Sequence, residues 1–181
     1  GDWSSDVCSS DLTLSYEATL PGTLLANLEN ILDVPHTAFL HRGLFRTGKR
    51  QEITATVRRA TDRVEVDYAG EPAPRGLAGR ILAPGGVLVD HVDRFILPSI
   101  AQVEYRIGDK RHLVVTNLLT PTDDFEVRLY TSLSLRLPYG VAALAPVLKP
   151  LALRILEQDA KALALQKAAV QGFGGEQFVS T

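Results

Sequence analysis

Cysteine occurs once in the 181 residues, at Cys8, and tryptophan once, at Trp3. From Thr13 onward there is no thiol, which excludes a disulfide framework, a thiolate zinc site and a cysteine nucleophile from that stretch. Long apolar runs are missing as well. The longest candidate, Val141 to Leu156, is broken by Pro146, Lys149, Pro150 and Arg154, so no segment reads as a membrane span. The basic start of a secretory signal is also lacking. A soluble, cytoplasmic protein is the expectation. Neither sign of charge is in excess, with 19 basic against 21 acidic residues, which gives no support for a nucleic-acid partner. What remains is ordinary globular composition, 45% hydrophobic and 22% charged. The length suits one domain with a sizeable core.

Residues 1–12, GDWSSDVCSSDL, are rich in Ser and Asp and lack periodicity. They resemble the translation of a sequencing-adapter junction, a non-native segment, and the alternative is a natural flexible tail. We set them aside and take 13–181 as the domain. Three acidic residues (Asp2, Asp6, Asp11) and no basic ones fall in that segment, so the remainder carries 18 acidic against 19 basic residues.

Thr13 to Leu20 alternates as a short strand, and Leu24 to Leu32 has the spacing of a short helix. Glu52 to Arg58 and Arg63 to Tyr68 read as a hairpin turning near Thr61-Asp62. Gly70 to Gly86 is rich in Gly and Pro and reads as loop. Val87 to Leu97, Ile100 to Ile107, His112 to Leu119 and Phe125 to Leu137 are strand-like. A Gly108-Asp109 turn precedes the third of these runs. From Tyr139 to about Ala169 the pattern is helical. The long helix is expected to start near Pro150, in the tolerated first turn, and to end at Gly172, Gly174 and Gly175. The order predicts an α+β fold, an antiparallel meander with a long C-terminal helix laid across it.

Two features carry chemistry. The stretch Asp33-Val-Pro-His36-Thr-Ala-Phe-Leu-His41 holds two of the four histidines among apolar neighbours. Buried imidazoles need partners for both nitrogens, which a metal and a carboxylate can supply; two structural histidines near a helix end satisfy the pattern equally. Five residues of regular helix would leave the two side chains about 140° apart. A shared ion therefore requires a π-bulge or a break, to which Pro35 would contribute. In the C-terminal helix, Asp159 lies on a stripe with Leu148, Ile155, Ala162 and Gln166. A carboxylate there is costly unless paired or metal-bound, and Lys161 is the alternative partner. Together His36, His41 and Asp159 are the ligand types of a 2-His-1-carboxylate triad, which suits Fe(II) and dioxygen, although zinc accepts the same set.

The run Glu29-Asn30-Ile31-Leu32-Asp33-Val34-Pro35-His36-Thr37-Ala38-Phe39-Leu40-His41 resembles the Asn-x-x-Asp-x-x-His-x-x-x-x-His signature of Rieske-type non-haem iron oxygenase alpha subunits. Leu156 to Gln166 resembles the segment with the third ligand, and the tail Phe173 to Thr181 is also similar to that family. The resemblance implies a START-like helix-grip domain. It implies mononuclear Fe(II) on His36, His41 and Asp159, and O2 as co-substrate. Asp33 would be buried beside His36, linking the iron to a neighbouring subunit's Rieske cluster. It further implies a homotrimer, a ferredoxin or reductase using NAD(P)H, and hydroxylation or demethylation of a small hydrophobic or aromatic substrate. A [2Fe–2S] Rieske cluster needs two cysteines and two histidines, absent from 13–181, so the cluster domain is expected to be missing and the chain inactive alone.

Phe95, Leu97, Ile107, Leu119 and Leu137 are expected as core residues or pocket lining. His91 and His112 are strand histidines with the same two alternatives. A START-like module that binds a hydrophobic ligand without catalysis is the competing function, in which His36, His41 and Asp159 need not converge.

Overall fold

The computed structural model describes residues 11–33, 53–69, 89–137 and 145–176. Within them the chain forms strand β1 (Asp11–Pro21) and helix α1 (Leu24–Leu32). Strands β2 (Thr54–Arg59), β3 (Arg63–Ala69), β4 (Val89–Ile96) and β5 (Ile100–Ile107) follow. Then come β6 (Arg111–Asp123), β7 (Glu126–Arg136) and helix α2 (Ala145–Gly172). The seven strands make one antiparallel sheet in the order β1-β7-β6-β5-β4-β3-β2. This is the α+β helix-grip arrangement expected from the sequence.

The strands form because alternate residues have an inner face to bury. In β7, Val127, Leu129, Thr131 and Leu135 are buried while Glu126, Arg128 and Tyr130 are exposed. Both helices cover that inner face. One apolar cluster joins Leu20, Ala101, Leu119, Val127 and Leu129 of the sheet to Ala26 and Leu28 of α1 and Leu163 of α2. A second joins Val89, Ile107, Leu135 and Leu137, with Leu148 of α2 packed against it. Leu148 and Leu163 are about 22 Å apart along the helix at 1.5 Å per residue, so α2 spans both clusters.

Several boundaries differ from the sequence reading. β1 begins at Asp11, and Leu12 pairs with Leu135, because a ladder of main-chain hydrogen bonds accepts any non-proline sequence. β6 runs past Leu119 to Asp123, with Pro121 at a register irregularity, where the missing N–H is tolerated. The turn at Gly108 is a single 3₁₀ turn with Gly108 at φ 58. Helix α2 starts five residues before Pro150 and contains it; one lost i→i−4 hydrogen bond near the first turn is affordable when Leu148 is packed on the core. At the other end, Gly174 adopts φ 79. Gly175 N–H donates to Val170 O at 3.0 Å, which closes α2 as a Schellman cap. The contact face of α2 runs through Leu148, Leu156, Ala160 and Leu163, whereas Gln166 of the expected stripe is exposed.

Candidate functional site

Asp159 lies one helical turn before Leu163, the one residue of α2 that is buried. Its carboxylate oxygen Oδ1 is closed off from solvent. Lys161, the cation proposed as its structural partner, instead pairs with Glu157 at 2.7 Å on the exposed side of the helix. Below Asp159, on β1, lies Tyr16. Burial pushes the Tyr16 phenol above its ordinary range and the Asp159 charge adds to the rise, while a hydrogen bond with Thr131 partly offsets both.

Tyr16 stands opposite Thr131 of β7, which stands opposite Asn117 of β6, followed by Ala101 of β5. Directly paired residues share a face, so this row crosses the inner face beneath α2. Thr131 Oγ1 donates to Asn117 Oδ1 at 2.7 Å. Farther along the same face, His91 Nε2 is 2.8 Å from Asp93 Oδ1, and both side chains are buried. The His91 ring is stacked between Tyr68 at 4.7 Å and Tyr105 at 4.1 Å. The sequence reading missed Tyr16, Thr131, Asn117 and Asp93. Only the His91-Val-Asp93 spacing, which places both side chains on one face of a strand, offered a local signal.

In sequence the other two candidate ligands follow α1. Its start is fixed by Thr23, whose Oγ1 accepts from Ala26 N–H at 3.1 Å. Buried Asn27 reinforces it, donating to the carbonyls of Pro21 and Thr23 at 3.1 and 2.9 Å. At its far end Asp33 is the C-cap residue, with φ −82 and ψ 90, and its N–H donates to Glu29 O at 2.8 Å. Asp33 is exposed in this chain, which corrects the expectation of a buried carboxylate: the backbone leaves the helix there and carries the side chain to the surface. His36, His41 and the expected π-bulge lie outside the described residues. Among the described residues, no cluster of three potential metal ligands is present.

His112 is not a pocket group. It lies on the outer face, 2.8 Å from Glu104, which also takes ion pairs from Arg94 at 2.5 Å and Arg106 at 2.6 Å. Burial alone would raise the Glu104 carboxyl. Hydrogen bonds from Arg94 and His112, with the charges of Arg94 and Arg106, outweigh it and hold the group below the ordinary carboxylate value. Of the apolar candidates, Ile107, Leu119 and Leu137 are core, Phe95 packs against it, and Leu97 is 55% exposed.

Of the three candidate donors only Asp159 lies among the described residues, and it presents a buried carboxylate oxygen from the helix that covers the sheet, a donor of the type a mononuclear iron takes. Comparison with known proteins bears on the same question. Dicamba monooxygenase bound to 3,6-dichlorosalicylic acid superimposes with a TM-score of 0.76 at 16% identity, over 97% of this chain and 56% of that one. NdmA of Pseudomonas putida CBB5 with caffeine gives 0.66 at 17% identity, over 90% and 46%. NdmB of the same strain gives 0.63 at 15%, over 85% and 41%. The chain thus spans about half the length of these structures, and at such identities they share its fold. No curated protein sequence matches it. The family model for the vanillate O-demethylase oxygenase C-terminal domain matches residues 23–179. The chain belongs to that family, the C-terminal catalytic domains of Rieske-type oxygenases.

Proposed function

We propose that this domain holds one Fe(II) on His36, His41 and Asp159, and that the site hydroxylates or demethylates a small aromatic substrate bound between α2 and the inner face of the sheet. The observation that carries the reading is the buried Oδ1 of Asp159, facing the sheet in a chain of this family. Fe(II) held by two imidazoles and a carboxylate supplies a centre with open positions for dioxygen and substrate.

The chain's own residues do the rest. Helix α2, anchored at both ends on the sheet, holds the Asp159 carboxylate in place. The apolar clusters of the inner face limit water around it, and partial burial and the Asp159 charge both oppose ionisation of the Tyr16 phenol. On this reading Asp33, exposed at the end of α1, orients His36 and bridges to a neighbouring subunit. Electrons come from a Rieske [2Fe–2S] cluster held by residues other than 13–181, which have no cysteine, fed by a ferredoxin or reductase using NAD(P)H in a homotrimeric assembly. The chain alone then binds iron without sustained turnover.

Anaerobic titration of the chain with Fe(II), followed by metal analysis, tests the reading. One iron per chain is expected, with strong loss in His36→Ala, His41→Ala and Asp159→Ala. Equal iron content in all four proteins refutes the site. A hydrophobic ligand bound by a chain that takes no iron would establish the non-catalytic binding module instead.

A further inference from the structure

The carbonyl of Phe125, in the turn between β6 and β7, accepts two hydrogen bonds. One comes from Gly22 N–H at 3.0 Å and the other from Lys167 Nζ of α2 at 3.2 Å. Both lone pairs of that oxygen are therefore used. A Cβ built at Gly22 would touch Leu163 Cδ2 at 3.8 Å, so the entry to α1 lies against α2. Thr23, the next residue, makes a further link. Its hydroxyl oxygen accepts from Ala26 N–H at 3.1 Å and caps α1, while its hydrogen is given to Glu176 Oε1. Gly174 and Gly175, both at positive φ, turn the chain out of α2, and Glu176 is the residue that follows. The first turn of α1 is thus clasped to the end of α2 by contacts that are far apart in sequence.

The clasp lies towards one end of both helices. From it the two run over one apolar cluster, α1 out to Ile31 and Leu32 and α2 back through Ala160 to Leu156. At 1.5 Å per residue, α1 carries the chain about 13 Å from the clasp, and the path from Lys167 back to Asp159 is about 12 Å. His36 and His41 follow the far end of α1 in sequence. A swing of about 5° at the clasp moves a group about 12 Å away by about 1 Å, several times the tolerance of about 0.2 Å on a metal–ligand distance.

We propose that Thr23, Lys167 and Glu176 are positioning residues of the metal site. By clasping α1 to the end of α2 they set how far apart the two halves of the triad, His36 with His41 and Asp159, are held. The inference rests on the function proposed above and adds the device that brings its ligands into register.

The test uses the 181-residue chain with Co(II) in place of Fe(II), because the visible spectrum of cobalt reports ligand number and geometry. Glu176→Ala should weaken Co(II) about three- to tenfold, the factor for one side-chain hydrogen bond, and should alter the cobalt spectrum. Lys167→Met, which keeps most of the stem and loses the donor, should behave alike. Glu176→Gln still accepts from Thr23 and should restore both affinity and spectrum. Glu104→Gln, on the outer face, lowers stability and should leave both unchanged. Coupling between two sites is reciprocal, so in the wild type Co(II) should slow amide exchange at Gly22 and Ala26 by more than in the β2–β3 ladder, a readout that needs no variant to fold. Three results would overturn the clasp and leave the metal site standing: wild-type affinity and spectrum in Glu176→Ala, an equal loss of affinity in Glu104→Gln, or metal uptake without added protection at Gly22 and Ala26. A wild-type chain that takes up no Co(II) overturns the function itself, and the clasp with it.

Discussion

Replacing Leu163 by Ala tests whether α2 is docked firmly enough to position Asp159. Leu163 is 1% exposed and sits among Leu20, Ala26, Leu28, Ala101, Leu119, Val127 and Leu129. The change removes three carbons, worth about 2.4 kcal/mol at about 0.8 kcal/mol each. The cavity left behind adds to this, because sheet and α1 side chains meeting at one point cannot all close in; a total of about 3–4 kcal/mol is expected. With a urea dependence of about 2 kcal/mol per molar, the unfolding midpoint should fall by about 1.5–2 M. Leu165, two residues on and 76% exposed, is the control, and Leu165→Ala should cost less than about 0.5 kcal/mol. Iron affinity should fall in the first variant and hold in the second, since Asp159 is one turn from Leu163. Equal midpoints for the two variants would refute the docking of α2 and with it the placement of Asp159.

Three further outcomes are expected. Glu104 has a folded value held below its ordinary 4.5, so its carboxylate stabilises the fold above that pH and loses the effect as pH falls through the folded value; urea titrations at neutral and acid pH should show the gap between wild type and Glu104→Gln closing on acidification. Gly22 adopts φ 100 at the entry to α1, so Gly22→Ala should cost about 1–2 kcal/mol and lower the thermal midpoint by about 3–6 °C. In the complete oxygenase, Asp33→Ala should nearly abolish coupled turnover while iron, measured by metal analysis, stays bound; normal turnover in that variant would remove the bridging role assigned to Asp33.

What was legible in the sequence follows from how local each signal is. Helix α1 matched its expected bounds because its start is written in adjacent residues: Gly22 turns the chain, Thr23 caps Ala26, and Asn27 ties back to Pro21. β5 matched because turns bracket it on both sides. The start of α2 was misplaced because Pro150 was weighed as a boundary. The packing of Leu148 on Val89, Ile107 and Leu135, which outweighs one lost hydrogen bond, is a long-range fact. Asp159 drew notice as an acid on an apolar stripe, but the helix alone did not tell a ligand from a carboxylate paired with Lys161; that Lys161 pairs with Glu157 instead is visible only in three dimensions.

Face assignment in the strands is where local reading fails. His91 and His112 are the same residue type in similar apolar strands, yet His91 faces inward between two tyrosines and His112 faces outward onto Glu104. The difference is parity. His91 pairs with Tyr105, whereas His112 pairs with Arg106, and neighbouring residues of β5 point to opposite faces. A slip of one residue at the turn between β5 and β6 would exchange the faces of β6 and bring His112 inside. The three-residue 3₁₀ turn at Gly108–Lys110 sets that parity, and with it places Asn117 beside Thr131 rather than on the surface. The polar row under α2 is therefore written in turn lengths rather than in any motif, and it becomes readable only once register is known.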